Sequence, residues 1–79
     1  MQVSVRYFAG LCAAAGVAGE QLDSDAVSLA ALYEQLRGRH GWRFETSALR
    51  VAVNDELVDW SRPLREGDVI AFLPPFSGG

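Results

Sequence analysis

The chain closes with the stretch EGDVIAFLPPFSGG, residues 66–79, which contains its clearest strand and the segment that follows it. Glu66-Gly67-Asp68 has the composition of a turn, and the next five residues are apolar and rich in β-branched and aromatic types. Pro74 and Pro75 lack a backbone N–H and fix φ, so the strand cannot continue past Leu73. The stretch therefore predicts a C-terminal strand followed by an extended tail.

The tail ends on Gly78-Gly79, which places the terminal carboxylate on a stem without side chains. Such a stem can enter a channel too narrow for any residue with a Cβ. Six residues reach about 20 Å at about 3.3 Å each. We interpret the tail as an arm that delivers the C-terminus to another protein. A frayed terminus is the alternative, because Gly/Ser-rich ends are often disordered.

The remaining strands are predicted from alternation of apolar and polar residues. Val3, Val5 and Tyr7 share one face of a strand over residues 2–9, and Phe8 is the exception because parity puts it on the polar face. Further strands are predicted over residues 19–23 and 48–53. The turn at residues 54–56 then leads into a returning strand at residues 57–58.

Two helices are predicted between these strands. Residues 10–16 form a short alanine-rich helix that Gly16 ends. Ser28 caps the main helix, whose apolar stripe consists of Leu29, Leu32, Tyr33 and Leu36. Gly38 or Gly41 ends this main helix.

These elements predict an α+β domain over residues 1–73 and an extended Gly-Gly tail over residues 74–79. The domain holds a mixed four- to five-stranded sheet with one main helix packed across it. The first and last strands are the most regular, and we expect them to lie side by side and parallel at the sheet centre, as in a β-grasp.

Composition narrows the choice of partners. The chain has 79 residues, a net charge of −3 and scattered arginines without any lysine. This argues against nucleic acid and anionic membranes, and it predicts a basic partner surface if charge steers the encounter. No apolar run approaches the length of a membrane span, and the N-terminus lacks the cationic start of a signal peptide. Cys12 is the single cysteine. The cytoplasm is the expected compartment.

The interior offers little chemistry, so the chain is not expected to be an enzyme on its own. His40 and Cys12 are too few for a zinc site and lie in separate predicted helices. His40 is interpreted as a cation at a helix C-terminus and Cys12 as a small buried hydrophobe. The acidic pairs at residues 55–56 and 66–68 lie in turns and are expected to be solvated. No metal and no directly bound cofactor are predicted.

Several apolar side chains are predicted to face away from the core. If Ile70 and Phe72 face the core, Leu73 faces away, beside Phe8 and with Leu57 adjoining. An apolar patch at the root of an extended tail is typical of a protein docking site. The alternative is that a second layer or edge packing covers these residues.

Together these stretches resemble a known family. VAVNDE (residues 51–56), PLREGDVIAFLPPFSGG (residues 63–79), RYFA (residues 6–9) and the helix at residues 29–40 resemble the small subunit of molybdopterin synthase, the MoaD type of the ubiquitin-like MoaD/ThiS sulfur carriers. The resemblance covers essentially the whole chain. The Pro-Pro-x-Ser-Gly-Gly ending is the mark most specific to the molybdopterin branch.

The resemblance implies a ubiquitin-like β-grasp fold and a non-catalytic sulfur carrier of molybdenum cofactor biosynthesis. It implies that an ATP-dependent adenylyltransferase activates Gly79 and that a sulfur donor protein converts it to a thiocarboxylate. Gly78, which has no side chain, is the residue before Gly79. The tail would enter the large catalytic subunit, within a heterotetramer, and give sulfur to cyclic pyranopterin monophosphate. ATP would be used by the activating partner.

The resemblance also implies partner contacts, which fall on Phe8, Leu57, Leu73, Pro74, Pro75, Phe76 and Ser77. One departure is that Cys12-Ala13 stands where the family often has Arg-Glu, so the resemblance does not carry over polar partner contacts from that pair. A thiazole-type sulfur carrier of thiamine biosynthesis is an alternative function. A ubiquitin-like modifier or interaction module is another.

Overall fold

A computed structural model describes residues 1–74, which contain five strands and two α-helices. Their bounds in chain order are β1 (Gln2–Tyr7), α1 (Ala9–Ala15), β2 (Gly19–Asp23), α2 (Leu29–His40), β3 (Arg50–Val53), β4 (Glu56–Val58) and β5 (Val69–Leu73), with a 3₁₀ turn at Thr46–Ala48 before β3. Between residues 1 and 74, neither helix is long and apolar enough to cross a membrane. The predicted α+β class is confirmed.

The five strands form one mixed sheet in the order β2-β1-β5-β3-β4. β1 and β5 are parallel neighbours at the centre, with Tyr7 opposite Phe72, while the other pairs are antiparallel. Central parallel terminal strands with a helix across one face define the β-grasp topology. The prediction of this pairing is confirmed.

Helix α2 begins and ends at residues suited to those positions. Ser28 has extended backbone, and its Oγ accepts a hydrogen bond from the Ala31 N–H at 3.2 Å. Gly41 ends the helix at φ 71°, a left-handed conformation in which glycine has no Cβ penalty. Of the two predicted stops, Gly41 is therefore the one used, and Gly38 lies within the helix.

The apolar stripe of α2 packs on one face of the sheet, which we call the inner face. The stripe is buried, as are Phe72 and Ile70 of β5 beneath it. Aromatic rings tie the layers together: the Tyr33 ring meets that of Phe72 edge to face at 5.3 Å. Each such buried side chain contributes about 1.5–3 kcal/mol to folding. The inner face is therefore the core, and the opposite, outer face is available for other contacts.

Two boundaries differ by two residues from those predicted, and those of α1 and β4 differ by one. β1 ends at Tyr7 instead of residue 9, because Ala9 has a φ of 49° and turns the chain into α1. β3 begins at Arg50 instead of residue 48. The preceding residues form a 3₁₀ turn, in which the Ala48 and Leu49 N–H groups bond to Glu45 and Thr46 carbonyls instead of a neighbouring strand.

Candidate functional site

The site predicted from the sequence lies on the outer face of the sheet. In β5, Ile70 and Phe72 are fully buried on the inner face, whereas Val69, Ala71 and Leu73 are half-buried on the outer face. Both helices contribute buried side chains to the inner core, through Leu11 from α1 and the stripe of α2. The predicted parity of β5 is therefore confirmed.

Strand register brings three apolar side chains to this face near the end of β5. Tyr7 is opposite Phe72, so Phe8 follows beside Leu73. Leu57 pairs with Ala52, which in turn pairs with β5. Phe8 is 44% exposed and Leu57 is 59% exposed, which is high for large apolar side chains. We call Phe8, Leu57 and Leu73 the apolar patch.

The backbone after β1 holds Phe8 in its outward position. Phe8 is extended, at φ −130° and ψ 153°, and therefore keeps the strand parity that points it to the outer face. Ala9 then adopts a φ of 49°, a left-handed conformation that costs an L-residue about 1–2 kcal/mol. This turn sends Leu11 into the core while Phe8 stays outside. The left-handed Ala9 thus separates the exposed Phe8 side chain from the buried Leu11 side chain of α1.

A groove lies beside the point where the chain leaves β5. It has a volume of about 300 Å³ and is lined by Leu57, Leu73, Pro74, Arg50 and residues 47–49. Pro74 is itself buried. Arg50 and residues 47–49 were not predicted to belong to the site, although the alternation of β3 places Arg50 on the sheet face opposite to that of Val51. The root of the tail therefore shares a groove with the start of β3 and with Leu57 of β4.

The hairpin that presents Leu57 depends on a two-residue turn. Asn54 and Asp55 have φ values of 52° and 72°, as a tight hairpin between twisted strands requires. The Asn54 Oδ1 accepts the Val69 N–H at 3.1 Å, and its Nδ2 donates to Asp68 at 3.3 Å. The Asn54 side chain therefore joins the hairpin to the start of β5.

Asp68 organises the loop before β5. Its Oδ2 accepts hydrogen bonds from Arg62 Nη1 at 2.9 Å and from the Arg65 backbone N–H at 2.8 Å. The backbone carbonyl of Asp68 accepts a hydrogen bond from the Ser4 N–H. The Asp68 side chain is 5% exposed. The expectation that it is a solvated turn acid was therefore wrong. Its partners come from separate parts of the chain, which turn composition alone does not reveal.

The surroundings of Asp68 favour its ionised form. Burial pushes the pKa of the carboxyl upward, but the bonds from Arg62 and from the Arg65 backbone outweigh it, so the pKa of Asp68 is lowered. A carboxylate held in this way is structural, since its oxygens are occupied within the chain. Asp68 thereby positions β5, which carries Leu73.

A second polar cluster lies on the inner side, at the edge of the sheet. The Glu20 carboxylate accepts a hydrogen bond from the Tyr7 hydroxyl at 2.6 Å, and His40 Nε2 lies 2.7 Å from the same carboxylate oxygen. The Tyr7 bond, with His40 and Arg39, lowers the pKa of Glu20 against the opposing effect of burial. His40 thus lies in the last turn of α2 as predicted, but it contacts a carboxylate there.

The remaining candidates for chemistry stay apart. Cys12 is only half-buried, although it packs against the core. Within residues 1–74, no group of three or more His, Cys, Asp or Glu side chains is arranged to hold a metal ion. Of the predicted tail residues, Pro75, Phe76, Ser77, Gly78 and Gly79 lie outside the described residues. The described part of the site is therefore the apolar patch and its groove.

A β-grasp domain with an apolar patch at the root of a Gly-Gly tail defines the class of ubiquitin-like carrier domains. The ThiS family model matches residues 5–79. The molybdopterin synthase sulfur carrier subunit of Escherichia coli is 31% identical, over 98% of this chain and 99% of the relative. The corresponding subunit of Haemophilus influenzae is 34% identical over the same shares. The chain belongs to the ThiS family, and the resemblance inferred from its motifs is confirmed.

Solved structures agree with this assignment. A putative molybdopterin converting factor subunit 1 from Pyrococcus furiosus has a TM-score of 0.78 and 29% identity, and the match covers 96% of this chain and 99% of that one. A protein–protein complex of subunits 1 and 2 of the molybdopterin-converting factor from Helicobacter pylori matches with a TM-score of 0.69 and 31% identity, with full coverage of both chains. The ubiquitin-like fold predicted from the sequence is thereby confirmed.

Proposed function

We propose that the chain is the sulfur carrier of a molybdopterin synthase and bears a thiocarboxylate on Gly79. The observation that carries this proposal is the exposed apolar patch at the root of a segment that ends in Gly78-Gly79. The small-subunit relatives, which this chain matches over nearly their full length, support it. The domain holds and docks the tail, and the reactive group is the C-terminus itself.

The proposed chemistry needs little from the domain. A carboxylate is a poor electrophile, because its charge repels a nucleophile and its oxygen leaves badly. An ATP-dependent adenylyltransferase therefore converts the Gly79 carboxylate to an acyl-adenylate, with release of pyrophosphate. Sulfide, supplied by a sulfur donor protein, then attacks the acyl carbon: the new C–S bond replaces the C–O bond to AMP, AMP leaves, and the product is a thiocarboxylate, which is ionised and nucleophilic at sulfur. All general acid–base groups can belong to the partners.

The tail then delivers its sulfur inside the large catalytic subunit, where cyclic pyranopterin monophosphate is the acceptor. Five residues separate Pro74 from the terminal carboxylate, a reach of about 17 Å at about 3.3 Å per residue. Glycines at the last two positions allow the reacting end to enter a narrow channel. The complex of subunits 1 and 2 from Helicobacter pylori supports a partner of this kind.

The proposal is tested by intact-mass measurement of the chain after incubation with the adenylyltransferase of its organism, ATP and a sulfur donor. The expected result is the mass change of one oxygen replaced by one sulfur, followed by loss of that sulfur when the large subunit and pterin acceptor are added. A thiazole-type carrier would gain sulfur but not pass it to the pterin. A modifier would form conjugates with other proteins, and the absence of any sulfur adduct would refute the carrier role.

The apolar patch gives a second test. We expect Leu73→Asp to weaken binding to the large subunit about thirtyfold or more, because a carboxylate would be desolvated at the centre of the contact. Titration calorimetry measures this affinity. The free energy of unfolding should change by much less than the free energy of binding, since Leu73 is only half-buried.

The matched control is Val27→Asp, the same change in type and charge at an apolar side chain that is 81% exposed and on no strand. It should leave both affinity and stability near those of the parent chain. If Leu73→Asp instead unfolded the domain while binding per folded molecule persisted, Leu73 would be a core residue and the patch would not be a docking surface.

A further inference from the structure

The outer face of the sheet differs in charge from the molecule as a whole. The chain has ten acidic and seven basic residues. On the strands of the outer face, register places only three charged side chains, Arg6, Arg50 and Asp23. Asp23 lies at the β2 edge, where its Oδ1 accepts from the N-terminal ammonium at 2.8 Å. Apart from the paired Asp23, the charged side chains that the strands place on this face are therefore both positive, although the chain is acidic.

The two arginines lie on opposite sides of β5. Arg6 of β1 is opposite Ala71, and Arg50 of β3 is opposite Leu73. Neighbouring strands are about 4.8 Å apart and each residue advances about 3.3 Å, which puts the two arginine Cα atoms about 12 Å apart. The line between them crosses β5 between Ala71 and Leu73. A surface that docks on Leu73 therefore meets a guanidinium on each side.

Both guanidinium groups are left available by the rest of the domain. Arg6 and Arg50 are exposed, and neither forms an ion pair or side-chain hydrogen bond with any of residues 1–74. Arg62, by contrast, is bound to Asp68. Covering an unpaired guanidinium with a partner surface is unfavourable unless that surface supplies acceptors. A complementary partner must then carry negative groups at these two places.

We propose that the large subunit presents an apolar centre to Leu73 and one carboxylate to each of Arg6 and Arg50, whose Cα atoms lie about 12 Å apart. This inference rests on the proposed function and specifies the chemistry of the surface that binds there. It reverses the expectation drawn from net charge, which predicts a basic partner surface. The two arginines on opposite sides of β5 also fix the orientation of docking, because a rotated partner would lose at least one pair.

The test compares two double variants that change the net charge equally. Arg6→Glu/Arg50→Glu alters the outer face, whereas Arg43→Glu/Arg65→Glu alters exposed arginines in loops. Stopped-flow measurement gives the association rate with the large subunit at a series of salt concentrations. The parent rate should fall as salt rises, since screening weakens attraction between opposite charges. The outer-face variant should associate at least about tenfold more slowly at low salt, and faster as salt rises. The loop variant should stay near the parent.

Other results overturn the inference in distinguishable ways. If both double variants associated faster than the parent at low salt, net charge would govern the encounter and the partner surface would be basic. If the outer-face variant matched the parent at every salt concentration, the arginines would make no contact. Failure of the parent chain itself to bind the large subunit would refute the proposed function instead, and this inference with it.

Folding of each variant is checked by circular dichroism and urea unfolding. If the glutamate pair on the outer face fails to fold, Arg6→Gln/Arg50→Gln replaces it, with Arg43→Gln/Arg65→Gln as its control. The outer-face glutamine pair should then associate slowly and with little dependence on salt, while its control keeps the salt dependence of the parent. Equal behaviour of the two glutamine pairs would contradict the inference.

Discussion

A chain that lacks Gly79 is expected to accept no sulfur at all, while its domain stays folded. Removal of the terminal glycine moves the carboxylate back by one residue, about 3.3 Å, which takes it out of reach of groups aligned for attack at the original position. Intact-mass measurement after incubation with the activating enzyme, ATP and sulfur donor should show only the starting mass. Within residues 1–74 the apolar core extends from Val3 to Phe72, so the melting temperature should not change.

Changing Gly78 to leucine is expected to have nearly the same effect for a different reason. The carboxylate then keeps its position, but a side chain must pass wherever the glycine stem passed, and a channel that fits glycine excludes it. The matched control is Gly38→Leu, in α2, where an added Cβ would meet no atom within 4 Å. The control should load sulfur normally and should be no less stable, because leucine is a better helix former than glycine.

The two tail variants test separate parts of the mechanism. Normal sulfur loading of the chain without Gly79 would mean that the terminal residue is not the reactive group. Normal loading of Gly78→Leu with failure only at the pterin step would place the narrow channel in the large subunit and not in the activating enzyme. Full activity of both variants would refute insertion of the tail as the mode of transfer.

Much of this site was predictable because side-chain direction in a strand follows parity. The alternation of β1 and β5 alone assigns Tyr7 and Phe72 to the core and Leu73 to the other face. Once the two strands are paired in parallel, Phe8 must lie beside Leu73. The stripe of α2 likewise determines which sheet face is covered. Periodicity is a local signal, and these conclusions need only that signal and one correct pairing.

Features that depend on contacts distant in sequence were not predictable. Glu20, Tyr7 and His40 come from three different elements and meet only in the folded chain. Gly19 is another case: a Cβ there would lie 2.5 Å from the Val5 carbonyl oxygen, a close approach between β1 and β2. No composition rule distinguishes this glycine from one in an open turn such as Gly16, because the obstacle belongs to the neighbouring strand.

The acidic turns are a second case in which contacts distant in sequence decide what the residues do. The acidic turn residues looked interchangeable in the sequence, yet Asp55 is exposed at a hairpin tip and Asp68 is buried. The difference arises because Arg62 folds back over Asp68 and Asn54 reaches it from the hairpin. A motif that resembles a solvated turn therefore contains the polar group that holds the start of β5 in place.

Replacement of that group, in Asp68→Ala, is expected to lower the free energy of unfolding by about 3 kcal/mol at neutral pH. The variant leaves the guanidinium of Arg62, whose side chain is 19% exposed, without its carboxylate, and it leaves the Arg65 N–H without its acceptor. Urea unfolding measures the change. The control is Glu45→Ala, an exposed carboxylate whose side chain bonds to none of residues 1–74. Its effect should stay within about 0.5 kcal/mol.

The same pair of proteins should differ in their response to acid. The folded pKa of Asp68 lies below its unfolded value of about 3.9, so its contribution is complete above that value and disappears as the pH falls through the folded pKa. The stability gap between parent and Asp68→Ala should therefore be constant near neutral pH and should close below about pH 4. Glu20 also has a lowered pKa, but it is present in both proteins and cancels in the difference. A gap that persisted unchanged at low pH would mean that Asp68 stabilises the loop by its shape and not by its charge.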